Sequence, residues 1–91
     1  MTLRIERRRS GETLVVQLIG EFNVEHLDEV KAQVNDAACL VVVDIRELTL
    51  ISVEGIRFLN ACHQHGMPIV NASNYIAEWM TLEGRSKPER P

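Results

Sequence analysis

Cysteine is scarce in this sequence, and long hydrophobic runs are missing from it. The two cysteines, Cys39 and Cys62, stand far apart and form no CxxC pair, which argues against a disulfide framework and favours a reducing compartment. No apolar run approaches the ~18 residues that a membrane helix needs. Charged residues also interrupt the N-terminal segment where a signal peptide would have its apolar core. The sequence therefore predicts a cytoplasmic protein that is not inserted in a membrane.

An excess of positive charge is also lacking, since the formal net charge is -3. A nucleic-acid-binding domain normally carries a basic face. The one basic run, Arg7-Arg8-Arg9, is flanked by Glu6 and Glu12, and we interpret it as the solvated end of a hairpin rather than a phosphate-binding patch. Nucleic acid is therefore not an expected partner.

The common enzyme motifs are absent: there is no glycine-rich phosphate loop, no GxSxG and no HExxH. Cys62-His63-Gln64-His65 holds potential metal ligands, but adjacent helix positions point in different directions. We therefore expect neither a metal nor a cofactor. Three acids, Asp44, Glu47 and Glu54, lie near the ends of predicted strands, and the pair Asp44 and Glu54 could do acid–base chemistry. No nucleophile is spaced around them, so a small enzyme using this pair stays a minor alternative.

The 91 residues suffice for one domain, and hydrophobic periodicity predicts the order β-β-α-β-α-β-α. Strands alternating with helices favour an α/β fold with a mixed, mostly parallel sheet flanked by helices. Turn signals at Ser10-Gly11 predict a hairpin. The predicted strands cover residues 3–8, 13–19, 39–43 and 69–70. The first two predicted helices begin near Asn23 and Ser52, and the third follows the caps offered within residues 71–74. Residues 46–51 are predicted to form a loop.

The predicted domain covers residues 1–82, and residues 83–91 are predicted to be a disordered tail because they offer nothing apolar to bury. The continuous apolar run 39–43 suits a strand buried on both faces. The predicted core comprises Val15 or Val16, Leu18, Val42, Ile56, Leu59 and Ile69.

The segment Ser52-Val53-Glu54-Gly55 has two interpretations. Ser52 can cap a helix by accepting a backbone N–H bond, and Glu54 then lies in the first turn, where negative charge is stabilised by about 0.3–1 kcal/mol. Gly55 lacks a side chain, so another surface could approach the backbone closely. The pattern fits a well-capped helix, and it also fits a binding site at the helix start.

The stretch LVVVDIRELTLISVEGIRFL resembles the core of a STAS domain, the family of anti-sigma-factor antagonists and sulfate-transporter tails. In that family a buried strand leads through a polar loop to a D-S-S-G-type helix start, which corresponds here to Ser52, Val53, Glu54 and Gly55. The upstream VVQLIGEFN is similar to the family's V-x-L-x-G-E-L-D pattern. The resemblance in element order covers about residues 3–82.

The resemblance implies a protein-binding regulatory module whose partner is an anti-sigma-factor-type serine kinase. A small STAS subunit of a bacterial ABC lipid-transport complex is the alternative, with a transporter subunit as partner. Glu54 stands where the family has its phosphorylated serine, so switching at that position is not expected. For Ser52, capping is favoured over phosphorylation. The implied partner-binding residues are Asn23, Ser52, Val53, Glu54, Gly55 and Arg57.

The sequence ends after its third predicted helix, whereas family members usually add a strand and a helix. The resemblance therefore implies an apolar surface that needs cover. A partner protein or a second copy of the chain, forming a homodimer, would supply that cover.

Overall fold

Nine short elements make up the computed structural model, which describes residues 2–35 and 40–85. They are β1 (Leu3–Ser10), β2 (Thr13–Phe22), a 3₁₀ turn (Val24–His26), α1 (Leu27–Val34), β3 (Leu40–Asp44), β4 (Leu48–Ile51), α2 (Val53–Gln64), β5 (Ile69–Val70) and α3 (Asn74–Arg85). The sheet has the order β1-β2-β3-β5, and β4 pairs with the far end of β2. All pairs are parallel except β1–β2. The predicted mixed, mostly parallel α/β sheet is therefore confirmed.

The predicted hairpin joins β1 to β2 through two residues, Gly11 and Glu12, with Ser10 paired to Thr13. Gly11 has φ +63°, which glycine adopts without a steric penalty and which suits the tight turns of such hairpins. β1 lies at one edge of the sheet.

The strand β4 corrects the loop predicted for residues 46–51. β2 extends beyond the end of β3, so its last residues need another partner for their main-chain groups. β4 supplies it: Gly20 N–H donates to the Glu47 carbonyl at 3.1 Å, and Ser52 N–H donates to the Phe22 carbonyl at 2.9 Å. Leu48 and Ile51 are buried while the two residues between them are exposed. That pattern lacks the period of two by which strands are recognised.

The core lies on one face of the sheet. Leu14, Val16 and Leu18 of β2 point to this face, and residues from all three helices join the same buried cluster. The buried members are Leu14, Val16, Leu18, Phe22, Val30, Val34, Val41, Val43, Ile45, Leu48, Ile51, Ile56, Leu59 and Ile76. Of the predicted core, Val16, Leu18, Ile56 and Leu59 are confirmed as fully buried.

Val42 and Ile69 are both half-buried rather than fully buried, but Ile69 packs against the core cluster, as predicted. Val42 sits between two core residues of β3, and alternation turns its side chain to the opposite face, which none of the three described helices covers. Leu40 is 71% exposed. The prediction of a strand buried on both faces was therefore wrong.

The third helix continues through Arg85, three residues past the predicted domain boundary at residue 82. Packing on α2 explains the extension. The Arg57 Nε–H donates to Glu83 Oε1 at 3.2 Å, and the Asn60 side-chain amide donates to the Met80 carbonyl at 2.9 Å. Glu83 therefore belongs to the folded domain rather than to the predicted tail. Residues 36–39 and 86–91 lie outside the described residues. The expected end of the first helix falls in the first of these two ranges.

Candidate functional site

The start of α2 follows directly from the end of β4. Ser52 has extended backbone angles, its Oγ accepts a hydrogen bond from the Gly55 N–H at 3.2 Å, and its carbonyl accepts from the Ile56 N–H at 3.0 Å. The side-chain bond satisfies the Gly55 N–H, a donor that a helix start otherwise leaves without a partner, and the bond from Ile56 is the first regular bond of the helix. The predicted capping role of Ser52 is confirmed, and its hydroxyl is already engaged inside the domain.

Gly55 has a different role from the one its missing side chain suggested. It is buried, and a Cβ built on it would lie 2.7 Å from Ile51 Cγ1 and 3.2 Å from Phe22 Cδ2. Glycine at this position therefore lets α2 lie close to β4 and β2 within the domain. The space beside Gly55 is filled by the protein's own core side chains.

Glu54 is the exposed carboxylate of the helix start. It lies in the first turn of α2, where the partial positive charge of the helix N-terminus favours an anion. No ion pair or hydrogen bond joins its side chain to any residue within 2–35 and 40–85. Its charge is therefore presented to solvent or to a docked molecule. Val53 beside it is half-buried.

Asn23 reaches the same corner from the end of β2. Phe22 pairs with Ile51, and the bond from Ser52 N–H to the Phe22 carbonyl places the residue after each strand side by side. The Asn23 N–H donates to His26 Nδ1 at 3.0 Å, while its carbonyl accepts from the His26 N–H at 2.9 Å. This reciprocal pair resembles a capping box with histidine in the usual Glu or Gln position. It orients the half-buried Asn23 at the site.

Arg57 lies one helical turn after Val53 and points toward α3. Its side chain is 67% exposed while it bonds to Glu83. An ion pair with this exposure contributes little to stability. The pair does keep the guanidinium at the edge of the helix start rather than free in solvent.

Two exposed apolar residues at this corner were missed by sequence reasoning. Leu50 is 51% exposed and pairs with Glu21, next to the last pair between β2 and β4. Val24 is 55% exposed and directly follows Asn23. Leu50 was missed because β4 was assigned to a loop.

The name α2-start surface is used below for Asn23, Val24, Leu50, Ser52, Val53, Glu54 and Arg57. It combines exposed apolar groups with an anionic centre.

The acids of the alternative enzymatic interpretation have separate environments. Asp44 is buried at the end of β3, and its Oδ1 accepts the Arg46 N–H at 2.9 Å. Such a bond holds the turn between β3 and β4. Asp44 thus has a structural role, whereas Glu54 is exposed at the helix start.

The Cys62-His65 segment ends α2. Cys62 is buried, and burial raises the pKa of its thiol. His65 Nδ1 lies 2.8 Å from the Ala61 carbonyl oxygen, so this ring closes the last helical turn. Across residues 2–35 and 40–85, no three His, Cys, Asp or Glu side chains are grouped to hold a metal ion.

A shallow depression of about 570 Å³ lies away from the α2-start surface. It is lined by ten residues from the starts of β2 and β3, the end of α1 and the segment that follows α2, among them Thr13, Val42 and His65. None of its lining residues belongs to the α2-start surface. In the described part of the chain, no helix is long and apolar enough to cross a membrane.

Comparison with known structures identifies the fold. The anti-sigma factor antagonist SpoIIAA in its unphosphorylated form matches with a TM-score of 0.63 and 16% identity, over 91% of this chain and 81% of that chain. An uncharacterised DUF3478-family protein from Shewanella loihica PV-4, described as having a SpoIIAA-like fold, matches with a TM-score of 0.53 and 20% identity, over 91% and 76%. No protein-family model and no curated protein sequence matches the chain. The chain has a SpoIIAA-like fold, as the resemblance in its motifs predicted.

Proposed function

We propose that the chain is a protein-binding regulatory module of the anti-sigma-factor antagonist type, which docks on its partner through the α2-start surface. The observation that carries this proposal is the exposed carboxylate of Glu54 at a capped helix start, with Leu50 and Val24 exposed beside it. Interfaces of this kind combine apolar contacts with a charge that sets specificity and association rate. The expected partner is a serine kinase of the anti-sigma-factor type, in the cytoplasm. The proposal assigns no catalytic step to this chain.

The proposed module is not switched by phosphorylation in the usual way. Glu54 has no hydroxyl to accept a phosphate, and its carboxylate brings one negative charge where a phosphoserine brings about 1.5 to 2. The hydroxyl of Ser52 is engaged with the Gly55 N–H, so its modification would remove the helix cap. A partner adapted to a permanent acid at residue 54 fits these facts.

The second candidate function is that of a small STAS subunit in a bacterial ABC lipid-transport complex. It is favoured by the same fixed acid, because such an assembly does not depend on a phosphate being added and removed at this position. Capture of partners from a native lysate separates the two candidates. A serine kinase supports the first, an ATPase or permease subunit supports the second, and a second copy of this chain would point to a homodimer.

The docking surface itself is tested with charge variants against the captured partner. Glu54→Lys reverses the charge at the helix start and should weaken binding about tenfold or more, since like charges across an interface are costly. Glu54→Gln, which keeps the shape and removes the charge, should give an intermediate affinity.

The matched control is Glu29→Lys, the same charge reversal in the first turn of α1. Both variants place a positive charge in the first turn of a helix, where it opposes the helix dipole, so a general loss of stability would affect both. Equal affinities for the wild type, Glu54→Lys and Glu29→Lys would show that the α2 start is not the docking surface.

A further inference from the structure

The strand β1 leaves one side of its backbone open. In the described part of the chain it pairs with β2 alone, over all eight of its residues. Two observations show which residues of this strand direct their main-chain groups toward β2. Ser10 closes the hairpin by pairing with Thr13, and the Thr2 carbonyl accepts a hydrogen bond from the Glu21 N–H. In an antiparallel ladder these alternate with residues whose N–H and C=O groups face away. The outward groups therefore belong to Leu3, Ile5, Arg7 and Arg9.

This open edge is strongly basic although the chain as a whole is acidic. Arg4, Arg7, Arg8 and Arg9 supply four of the ten basic residues, and with Glu6 they give β1 a charge of +3 against -3 for the whole chain. All five side chains are exposed. Arg4 pairs with Glu6, whereas no ion pair joins Arg8 or Arg9 to a described residue.

The arginines project from both faces of the sheet. Arg8 is paired with the half-buried Val15 on the helix-free face, and Arg9 is paired with the buried Leu14 on the helix-covered face. A nucleic acid or a membrane lying against one face would meet only part of this charge. A strand added in the plane of the sheet would place its alternating side chains beside both sets.

We propose that the free edge of β1 binds an extended acidic segment of a partner protein as an added antiparallel strand. Main-chain bonds to the outward groups of Leu3, Ile5 and Arg9 would supply affinity, and acidic side chains opposite Arg8 and Arg9 would supply specificity. A second copy of β1 is the wrong occupant, because pairing two such strands would bring together two charges of +3. The row of arginines thus discourages edge-to-edge self-association and selects an acidic strand.

The probe is a short peptide built as the complement of β1, acetyl-Glu-Glu-Glu-Thr-Val-Glu-Val-amide. Its three leading glutamates lie opposite Arg9, Arg8 and Arg7, and its valines lie opposite Ile5 and Leu3. Titration into the full chain, followed by backbone amide NMR, should perturb β1 first. With peptide bound, amide exchange should slow at Ile5 and Arg9 and stay unchanged at Arg8, whose N–H already faces β2.

Two matched controls separate strand addition from attraction of any polyanion. The first is the same peptide with N-methyl groups on its first, third and fifth residues, which keeps the charge and removes three of the four donors facing β1. It should bind at least about tenfold more weakly. The second is a short oligothymidylate, which carries a similar charge without strand hydrogen bonding. Equal binding of the methylated peptide, or tighter binding of the oligonucleotide, would overturn the proposal.

Charge variants locate the site on the chain. Arg8→Glu should weaken peptide binding about tenfold, because an opposite-charge pair becomes a like-charge pair. Arg46→Glu makes the same change at an exposed residue outside β1 and should bind like the wild type, as should Glu54→Lys at the α2 start. If Arg8→Glu and Arg46→Glu have the same effect, the edge of β1 is not the binding site, and the proposed function at α2 is unaffected.

Discussion

Replacing Gly55 with alanine tests how tightly the α2 start is packed on the sheet. The new Cβ would lie 2.7 Å from Ile51 Cγ1, with Ile51 Cδ1 and Phe22 Cδ2 each at 3.2 Å. The nearest atom belongs to the middle of a β-branched side chain, and both neighbours are buried, Ile51 at 6% exposure and Phe22 at 0%. Neither side chain can swing into solvent, so the backbone of α2 or β4 must shift.

The expected size follows from two opposing effects. Overpacking a core typically costs about 1–3 kcal/mol. Alanine in a helix is favoured over glycine by up to about 1 kcal/mol. Steric crowding should outweigh propensity here, and we expect a net loss of roughly 1 kcal/mol in the free energy of unfolding.

The control is Gly84→Ala in α3. The nearest atom to a Cβ at Gly84 would be the Asn60 Nδ2 at 3.9 Å, an ordinary contact. Only the helix-propensity term should remain, so this variant should be as stable as the wild type or up to about 1 kcal/mol more stable.

Urea unfolding gives the free energy of unfolding of both variants, provided that the m-value is the same as that of the wild type. The double-mutant cycle with Ile51→Ala gives a further check, because removing that side chain should relieve part of the Gly55→Ala penalty. If Gly55→Ala matches Gly84→Ala in gaining stability, Gly55 does not pack against β4 and the interpretation of this corner is wrong. If it keeps stability and loses partner binding, Gly55 serves the interface after all.

Three further predictions concern the same domain. Ser52→Ala should lower the free energy of unfolding by about 1 kcal/mol through loss of the α2 cap, and an unchanged urea midpoint would contradict the cap. Ile56→Ala should cost about 2–5 kcal/mol because this side chain is fully buried. Val42→Ala, on the helix-free face, should cost clearly less, and equal losses would mean that the face of Val42 is wrongly assigned. In a Cys39→Ala background, the thiol of Cys62 should react with a disulfide reagent more slowly in the folded than in the urea-unfolded chain, because burial raises its pKa. Equal rates would show that Cys62 is accessible.

Much of the candidate site could be read from local sequence. A helix start needs a residue that accepts a backbone N–H bond, and Ser52 was recognisable as such a residue because the requirement involves only its near neighbours. Gly66, with φ +90°, ends α2 for a similarly local reason. The contribution of His26 had a readable signal too, the spacing of a capping box, although histidine is not its usual member.

The sequence by itself determined the α/β class, the hairpin, the helix starts and the acid at residue 54, because each depends on periodicity or on hydrogen bonds between near neighbours. Tertiary structure alone decided that Leu48–Ile51 forms a strand, since its partners lie on the distant end of β2. It also decided that Val42 faces away from the core and that the side chain of Ile51 packs against Gly55. The continuation of α3 through Glu83, which bonds to Arg57, was decided in the same way. These outcomes depend on which elements pack together, and a contact between residues far apart in the chain leaves no pattern in either segment alone.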